Sequence, residues 1–248
     1  MTSASPVAAY AFVLLVGLVA GAVSGVIGTG SSIMLLPVLV YAFGPKQAVP
    51  IMAVAAVMAN LARVLAWWRE VDWRAFAAYA IPGAPAAVLG ARTLLQLPAT
   101  LIDVALGLFF IAMVPFRHWI KHREFRVRLW QMALAGALIG YVTGVVLSTG
   151  PLSVPVFAAY GLTQGAFLST EAASSLVLYV AKVLTFGGSG ALPLPVLLQG
   201  VIVGASLMAG TFAGKTMVLR LGPRVFQHML DVLLLCSGVA LLLAATRH

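Results

Sequence analysis

Residues 21–32 read GAVSGVIGTGSS, a glycine- and hydroxyl-rich stretch that interrupts a long apolar run. The apolar residues before it begin near residue 7, and those after it continue only from 31 to 43. A helix needs about 20 apolar residues to cross a bilayer, so the second run is too short to span one as an ordinary helix. The stretch therefore predicts a membrane helix that breaks at its glycines and is followed by a short helix.

A second break resembles the first. Residues 140–151 read GYVTGVVLSTGP, and a short apolar run, 152–161, follows them. Pro37 and Pro155 lie within the two short runs. The chain is therefore predicted to contain two homologous halves, 1–117 and 129–248, joined by a basic cytoplasmic linker, 118–128.

The composition excludes a soluble globular protein. Hydrophobic residues make up 62% of the chain and charged residues only 8%, whereas a soluble domain carries about 25% charged residues. The sequence thus predicts an all-α polytopic membrane protein. Its full-length helix candidates are 7–27, 48–68, 73–93, 99–116, 129–147, 165–187, 193–214 and 225–245.

The net charge of +9 is explained by membrane topology, and no nucleic-acid partner is expected. If each half has five segments, the second half is inverted and the N-terminus lies outside. Ten basic residues then lie inside and three outside, as the positive-inside rule requires. The alternative has four crossings per half and a cytoplasmic N-terminus, and it gives eight against five. The charge distribution favours the inverted arrangement.

The two breaks are the candidate substrate site. A glycine-rich interruption leaves backbone N–H groups without intrahelical partners, and the following helix directs its positive dipole end toward the gap. Two such helix ends would bind a small anion near the bilayer midplane. Close helix packing is the alternative role for such glycines, and it suits the spacing of Gly17, Gly21 and Gly25. The candidate binding residues at the breaks are Gly28, Thr29, Gly30, Ser31, Ser32, Ser148, Thr149, Gly150 and Ser153.

Four further polar residues lie within apolar segments, where each is costly unless it has a partner. Arg63 and Lys182 occupy related places in the two halves and are candidate charge partners for the anion, with snorkelling to the interface as the alternative. Asn60 is a third candidate, with interhelical hydrogen bonding as its alternative role. Glu171 is a candidate proton carrier; helix capping, or pairing with Lys182 through a relay, is the other interpretation.

The sequence contains no signature of an enzyme. The four histidines lie in or beside loops, with no HExxH or paired-cysteine metal spacing. No nucleophile elbow or phosphate-binding loop is present. We therefore expect no catalytic residue, no metal and no cofactor.

Further motifs accompany the two breaks and their prolines: VDW at 71–73, the run from Pro82 to Arg92, Leu97-Pro98, and ASSL at 173–176. Taken in order, the motifs of both halves resemble the sulfite exporter TauE/SafE family of bacterial membrane permeases. The family's first break usually carries three glycines, where this chain has Gly30-Ser31-Ser32.

The resemblance implies a secondary transporter of sulfite, organosulfonates or related small organic anions, acting as an exporter in the bacterial inner membrane. The expected partners are a small anion substrate and membrane lipid. Such a chain could also form a homodimer. A channel or permease for another small solute is the alternative function.

Overall fold

The computed structural model describes residues 6–27, 31–121, 126–146, 150–162 and 164–217, together with eight residues between 231 and 243. Apart from one 3₁₀ turn, Trp68–Glu70, the regular structure within these residues is α-helical. The helices are α1 Pro6–Ile27, α2 Ser31–Phe43, α3 Pro45–Trp67, α4 Trp73–Gln96, α5 Ala99–Lys121, α6 Leu129–Val145, α7 Gly150–Tyr160, α8 Gln164–Gly188 and α9 Leu194–Met217.

The predicted all-helical fold is confirmed, including a short helix after each glycine-rich break. With 13 and 11 residues, α2 and α7 are about 20 Å and 17 Å long, which is less than the roughly 30 Å bilayer core. α5 continues to Lys121 instead of ending near 116, since a helix does not have to stop where its apolar run stops. The tenth candidate, 225–245, lies largely outside the described residues.

Membrane-spanning character is visible in both length and exposure. Three stretches in the described part are long and apolar enough to cross a bilayer: Gln47–Glu70, Gly165–Gly188 and Leu194–Gly214. Large apolar side chains point outward around the molecule, among them Ile81 and Leu184, at 73% and 70% exposure. Extensive exposed apolar surface marks a membrane-facing exterior.

Glycine determines how the helices pack. A Cβ atom on Gly21 would lie within 3.0 Å of the Leu207 backbone of α9, and one on Gly140 would meet the Gly83 backbone of α4 equally closely. Such distances require the bare backbone surfaces that small-residue motifs provide. The packing role predicted for Gly17, Gly21 and Gly25 is therefore confirmed.

The same spacing recurs on α6, although Gly140 and Gly144 were predicted to belong to the second break. A Cβ on Gly136 would collide with the Tyr79 backbone and one on Gly144 with the Ala87 backbone. Contacts on α4 and α6 advance in the same direction along both helices, so the two run parallel. The contacts of α1 with α9 advance together in the same way.

α3 and α8 lie at the centre, packed against each other. α3 also packs on α9, and α8 on α4, while α1–α9 and α4–α6 form the outer pairs. These contacts have a two-fold pattern, in which α1 corresponds to α6, α3 to α8 and α4 to α9. The α1–α9 contact then corresponds to α6–α4, the α3–α9 contact to α8–α4, and the α3–α8 contact to itself. The polar residues of α3 and α8 are consequently enclosed by helices from both ends of the chain.

One end of the helix bundle is basic and aromatic. The backbone N–H of Val127 donates to the Ala159 carbonyl at 2.9 Å, which brings the start of α6 beside the end of α7. The Asp72 N–H, before α4, donates to Thr170 Oγ1 at 2.9 Å, near the start of α8. Basic residues with tryptophans are typical of a cytoplasmic membrane interface. The exposed side chains at this end include Arg69, Arg74, Arg126, Arg128, Trp68, Trp73 and Trp130.

Candidate substrate and coupling site

A buried ion pair joins the two central helices. Arg63 Nη1 of α3 donates to Glu171 Oε2 of α8 at 2.9 Å, and the two residues are 6% and 1% exposed. Arg63 therefore does not snorkel to the interface, and Glu171 binds Arg63 rather than Lys182. Partnering of this kind is what a charge within the membrane requires.

The second carboxylate oxygen of Glu171 accepts two hydroxyl hydrogen bonds. Ser153 Oγ, from the first turn of α7, donates to Oε1 at 2.9 Å, and Ser175 Oγ donates to the same oxygen at 2.8 Å. Glu171 thus links the beginning of a short helix, its own helix and α3. The contacts with Arg63 and with Ser153 both join Glu171 to a residue that the sequence had selected.

Asn60 orients the arginine. Arg63 Nη2 donates to Asn60 Oδ1, and Asn60 Nδ2 donates to the Ala56 carbonyl at 2.7 Å. Both of these bonds lie within α3, whereas the alternative considered from sequence was a bond between helices. Their effect is to fix the guanidinium plane opposite Glu171.

Lys182 is held differently. Its side chain is fully buried, its Nζ donates to the Thr143 carbonyl at 2.9 Å, and Nζ lies 5.5 Å from the centre of the Phe186 ring. Thr143 lies in the last turn of α6, where helix carbonyls carry partial negative charge. Within the described part of the chain, Lys182 forms no ion pair with a carboxylate.

The starts of both short helices lie against α8. Ser32, at the start of α2, is hydrogen-bonded to the Tyr179 side chain, and Ser153, in α7, is bonded to Glu171. Tyr179 and Glu171 are eight residues apart, about 12 Å along the helix. Ser31 and Gly150 begin α2 and α7, while Gly28, Thr29, Gly30, Ser148 and Thr149 lie outside the described residues.

Two buried hydroxyls near these elements have no hydrogen-bond partner among the described residues. They are Ser24 Oγ, one turn from the end of α1, and Ser174 Oγ, beside Ser175 on α8. They are 1% and 0% exposed. Unsatisfied buried hydroxyls are uncommon and call for a physical explanation.

The sequence reasoning missed Thr143, Ser174, Ser175 and Tyr179. A usable signal existed for the two serines, because positions three and four after Glu171 share its helix face. Thr143 contributes through its backbone carbonyl, for which residue type gives no signal. Among the described residues, no cluster of three or more potential metal ligands is present.

These features define a class: a multi-pass helical membrane protein whose buried polar cluster lies between short, interrupted helices. Residues 13–241 match the family model "Sulfite exporter TauE/SafE", and the chain belongs to that family. Its members are membrane transporters rather than enzymes, and location in a bacterial inner membrane is consistent with this membership.

A relative from Bacillus subtilis (strain 168) carries the name "Probable membrane transporter protein YjnA". It is 24% identical over 253 residues, which cover 93% of this chain and 98% of the relative. No solved structure matches the chain significantly.

Proposed function

We propose that this protein is a secondary transporter that exports sulfite, organosulfonates or related small organic anions across the bacterial inner membrane. The observation that carries the anion preference is an imbalance of buried charge. Arg63 and Lys182 are two buried cations, and Glu171 is the one buried carboxylate among the described side chains. With both cations protonated, the described interior would carry one positive charge in excess, and an anion would neutralise it.

The proposed binding region lies between the starts of α2 and α7. Helix starts offer unpaired N–H groups and a positive dipole end. The donors proposed there are those at 28–32 and 148–153, together with Asn60, Arg63 and Lys182. The unpartnered hydroxyls of Ser24 and Ser174 add support, because the oxygens of a bound oxyanion would supply the missing acceptors.

Alternating access is proposed to arise from two inverted halves of about five segments each. The support is the two-fold pattern of helix contacts, together with the antiparallel course of α3 and α8, since Asp72, after the end of α3, is bonded to Thr170 near the start of α8. In inverted-repeat transporters, one set of helices rocks against the other around a site near the midplane. The α3–α8 contact corresponds to itself under this pattern, so it would lie on the two-fold axis that relates the proposed halves.

Proton coupling through Glu171 completes the proposal. Its carboxylate is the partner of Arg63, so a proton arriving there would release a cation toward the anion site. Transport in proteoliposomes should then respond to an imposed pH gradient, and Glu171→Gln should abolish that response. Two results together would contradict this coupling: wild-type transport that does not respond to the pH gradient, and a Glu171→Gln protein that transports at the full rate. Glu171 would then take no part in the mechanism.

The primary test is a thermal-shift screen of the purified protein with sulfite, sulfate, thiosulfate, sulfoacetate, taurine and carboxylates. A ligand at 100 times its dissociation constant stabilises by about 2.7 kcal/mol, so binding is readily detected. Lys182→Met keeps the side-chain length and removes the charge, and it should lose at least about tenfold in affinity for the anion that binds.

Arg92→Met is the matched control, because it removes one positive charge from an exposed position on α4 and should bind normally. Failure of every anion to bind would overturn the proposed function. In flux assays, a transporter saturates and shows counterflow, whereas unsaturable flux would favour the alternative of a channel.

A further inference from the structure

Among the described residues, two buried cations face one buried carboxylate, and that carboxylate can cancel a further negative charge by taking up a proton. We propose that a divalent anion binds together with one proton, accepted by Glu171, and that a monovalent anion binds with none. This inference rests on the proposed function, since it concerns the same anion site.

The charge count begins with the cations. Arg63 and Glu171 neutralise each other across 2.9 Å. Lys182 remains. Its Nζ donates to the Thr143 carbonyl at the end of α6 and lies over the face of Phe186, two contacts that suit an ammonium ion, and in the proposal it binds the anion in that form. A monovalent anion therefore brings the described interior to neutrality without any proton. A divalent anion would leave one uncompensated negative charge in a buried, low-dielectric interior, which is strongly unfavourable.

The surroundings of Glu171 favour it as the acceptor. The charged or titratable groups near it are Arg63 on α3, Tyr79 on α4 and Tyr179 on its own helix. α7 contributes the Ser153 hydroxyl. Glu70, in the 3₁₀ turn, lies against Gly165 at the start of α8 and is exposed. Among described carboxylates, Glu171 alone is enclosed with the cations.

Protonation of Glu171 keeps the hydrogen bonds of its carboxylate except the one with Arg63. A proton on Oε2 replaces the interaction with Arg63 Nη1, while Oε1 continues to accept from Ser153 and Ser175. Arg63 Nη1 then donates to an oxygen of the divalent anion. The neutral carboxylic acid, the two cations and the divalent anion sum to zero charge. The proton and the divalent anion therefore cross the membrane together, and one net negative charge moves with either class of anion.

The test is isothermal titration calorimetry on the full-length purified protein with sulfate and methanesulfonate. The two anions share a tetrahedral sulfur and differ by one charge, because a methyl group replaces an oxygen. Titration in buffers of different ionisation enthalpy gives the protons taken up per anion bound. We expect about one for sulfate and about zero for methanesulfonate. By linkage, the affinity for sulfate should fall by up to about tenfold per pH unit on raising the pH, and that for methanesulfonate should stay level.

Equal proton uptake for the two anions, whether zero or one, overturns the inference while leaving anion transport standing. Absence of binding by either probe also overturns it, and the wider anion screen then decides the proposed function separately. The wild-type comparison needs no variant, so a folding defect cannot obscure it.

Two glutamate variants assign the acceptor. Glu171→Gln should reduce the uptake with sulfate to about zero and remove the pH dependence of its affinity. Glu70→Gln changes an exposed carboxylate and should take up protons as the wild type does. Persistent uptake in a folded Glu171→Gln protein, verified by size-exclusion chromatography, would show that another group accepts the proton.

Discussion

Arg63 and Glu171 are 108 residues apart in the chain, and Nη1 lies 2.9 Å from Oε2. The pair connects α3 to α8, the two helices at the centre of the bundle. It also places the beginning of α7 in the same network, through Ser153. A substitution at either residue therefore alters the contacts of the short helix α7 as well as those of α3 and α8.

The pair predicts strong energetic coupling. Arg63→Met and Glu171→Leu should each lower the melting temperature in detergent, because either leaves a buried charge without its partner, at a cost of about 3–5 kcal/mol. The double variant should recover most of the loss, since it removes both charges. A double-mutant cycle measures the interaction directly. Losses that simply add would show that the pair contributes nothing to stability.

Glycine at the close contacts predicts a large effect of one methyl group. Gly140→Ala should destabilise by roughly 1–3 kcal/mol, because its Cβ would collide with the Gly83 backbone. Gly187→Ala is the matched control on α8, where nothing lies within 4 Å of the added Cβ, and alanine is the better helix former. Thermal unfolding followed by circular dichroism compares the two. Equal melting temperatures would contradict the packing role.

The cap at the start of α4 predicts a smaller effect. Asp72 Oδ1 accepts from the backbone N–H groups of Arg74 and Ala75 at 2.9 and 3.0 Å. Asp72→Ala should therefore cost about 1 kcal/mol, whereas Asp72→Asn should retain most of the stability. The difference between the two melting temperatures isolates the cap. If asparagine proves as harmful as alanine, the oxygen does not act as a cap.

Cysteine labelling tests the proposed inversion. Ser189, after α8, lies on the outer side of the membrane if the second half is inverted. It lies on the cytoplasmic side if the short helices add no crossing. In a Cys236→Ser background, which removes the exposed free thiol, Ser189→Cys should react with an impermeant maleimide added to whole spheroplasts. Arg128→Cys, at the basic end, should react only after lysis. Protection of position 189 in intact spheroplasts would favour four crossings per half.

Much of the fold was predictable because it depends on local properties. Apolar length, glycine content and proline position act over one or two helical turns, and they located α2 and α7 as well as the long helices. The packing of Gly17, Gly21 and Gly25 followed from spacing alone. The equivalent glycines of α6 carried the same signal, but Gly136 was not singled out and Gly140 was interpreted as part of the second break.

The sequence predicted which residues belong to the candidate site, but it did not predict which of them bind one another. Sequence selected Asn60, Arg63, Ser153, Glu171 and Lys182, and the structure joins four of them in one hydrogen-bonded network. The fifth, Lys182, is bonded to a backbone carbonyl of α6 instead. Residue types state which groups need partners in a membrane, but they do not state which helix supplies the partner.

The sequence by itself determined that this chain resides in a bilayer and that a short helix follows each of its two glycine-rich interruptions, because hydropathy and backbone preference are properties of short segments. The tertiary structure decided that Arg63, Glu171 and Lys182 are buried. It also decided that Glu171 pairs with Arg63 and leaves Lys182 without a carboxylate partner among the described residues. That choice depends on how α3, α6 and α8 pack, and packing is set by surfaces that are far apart in the chain.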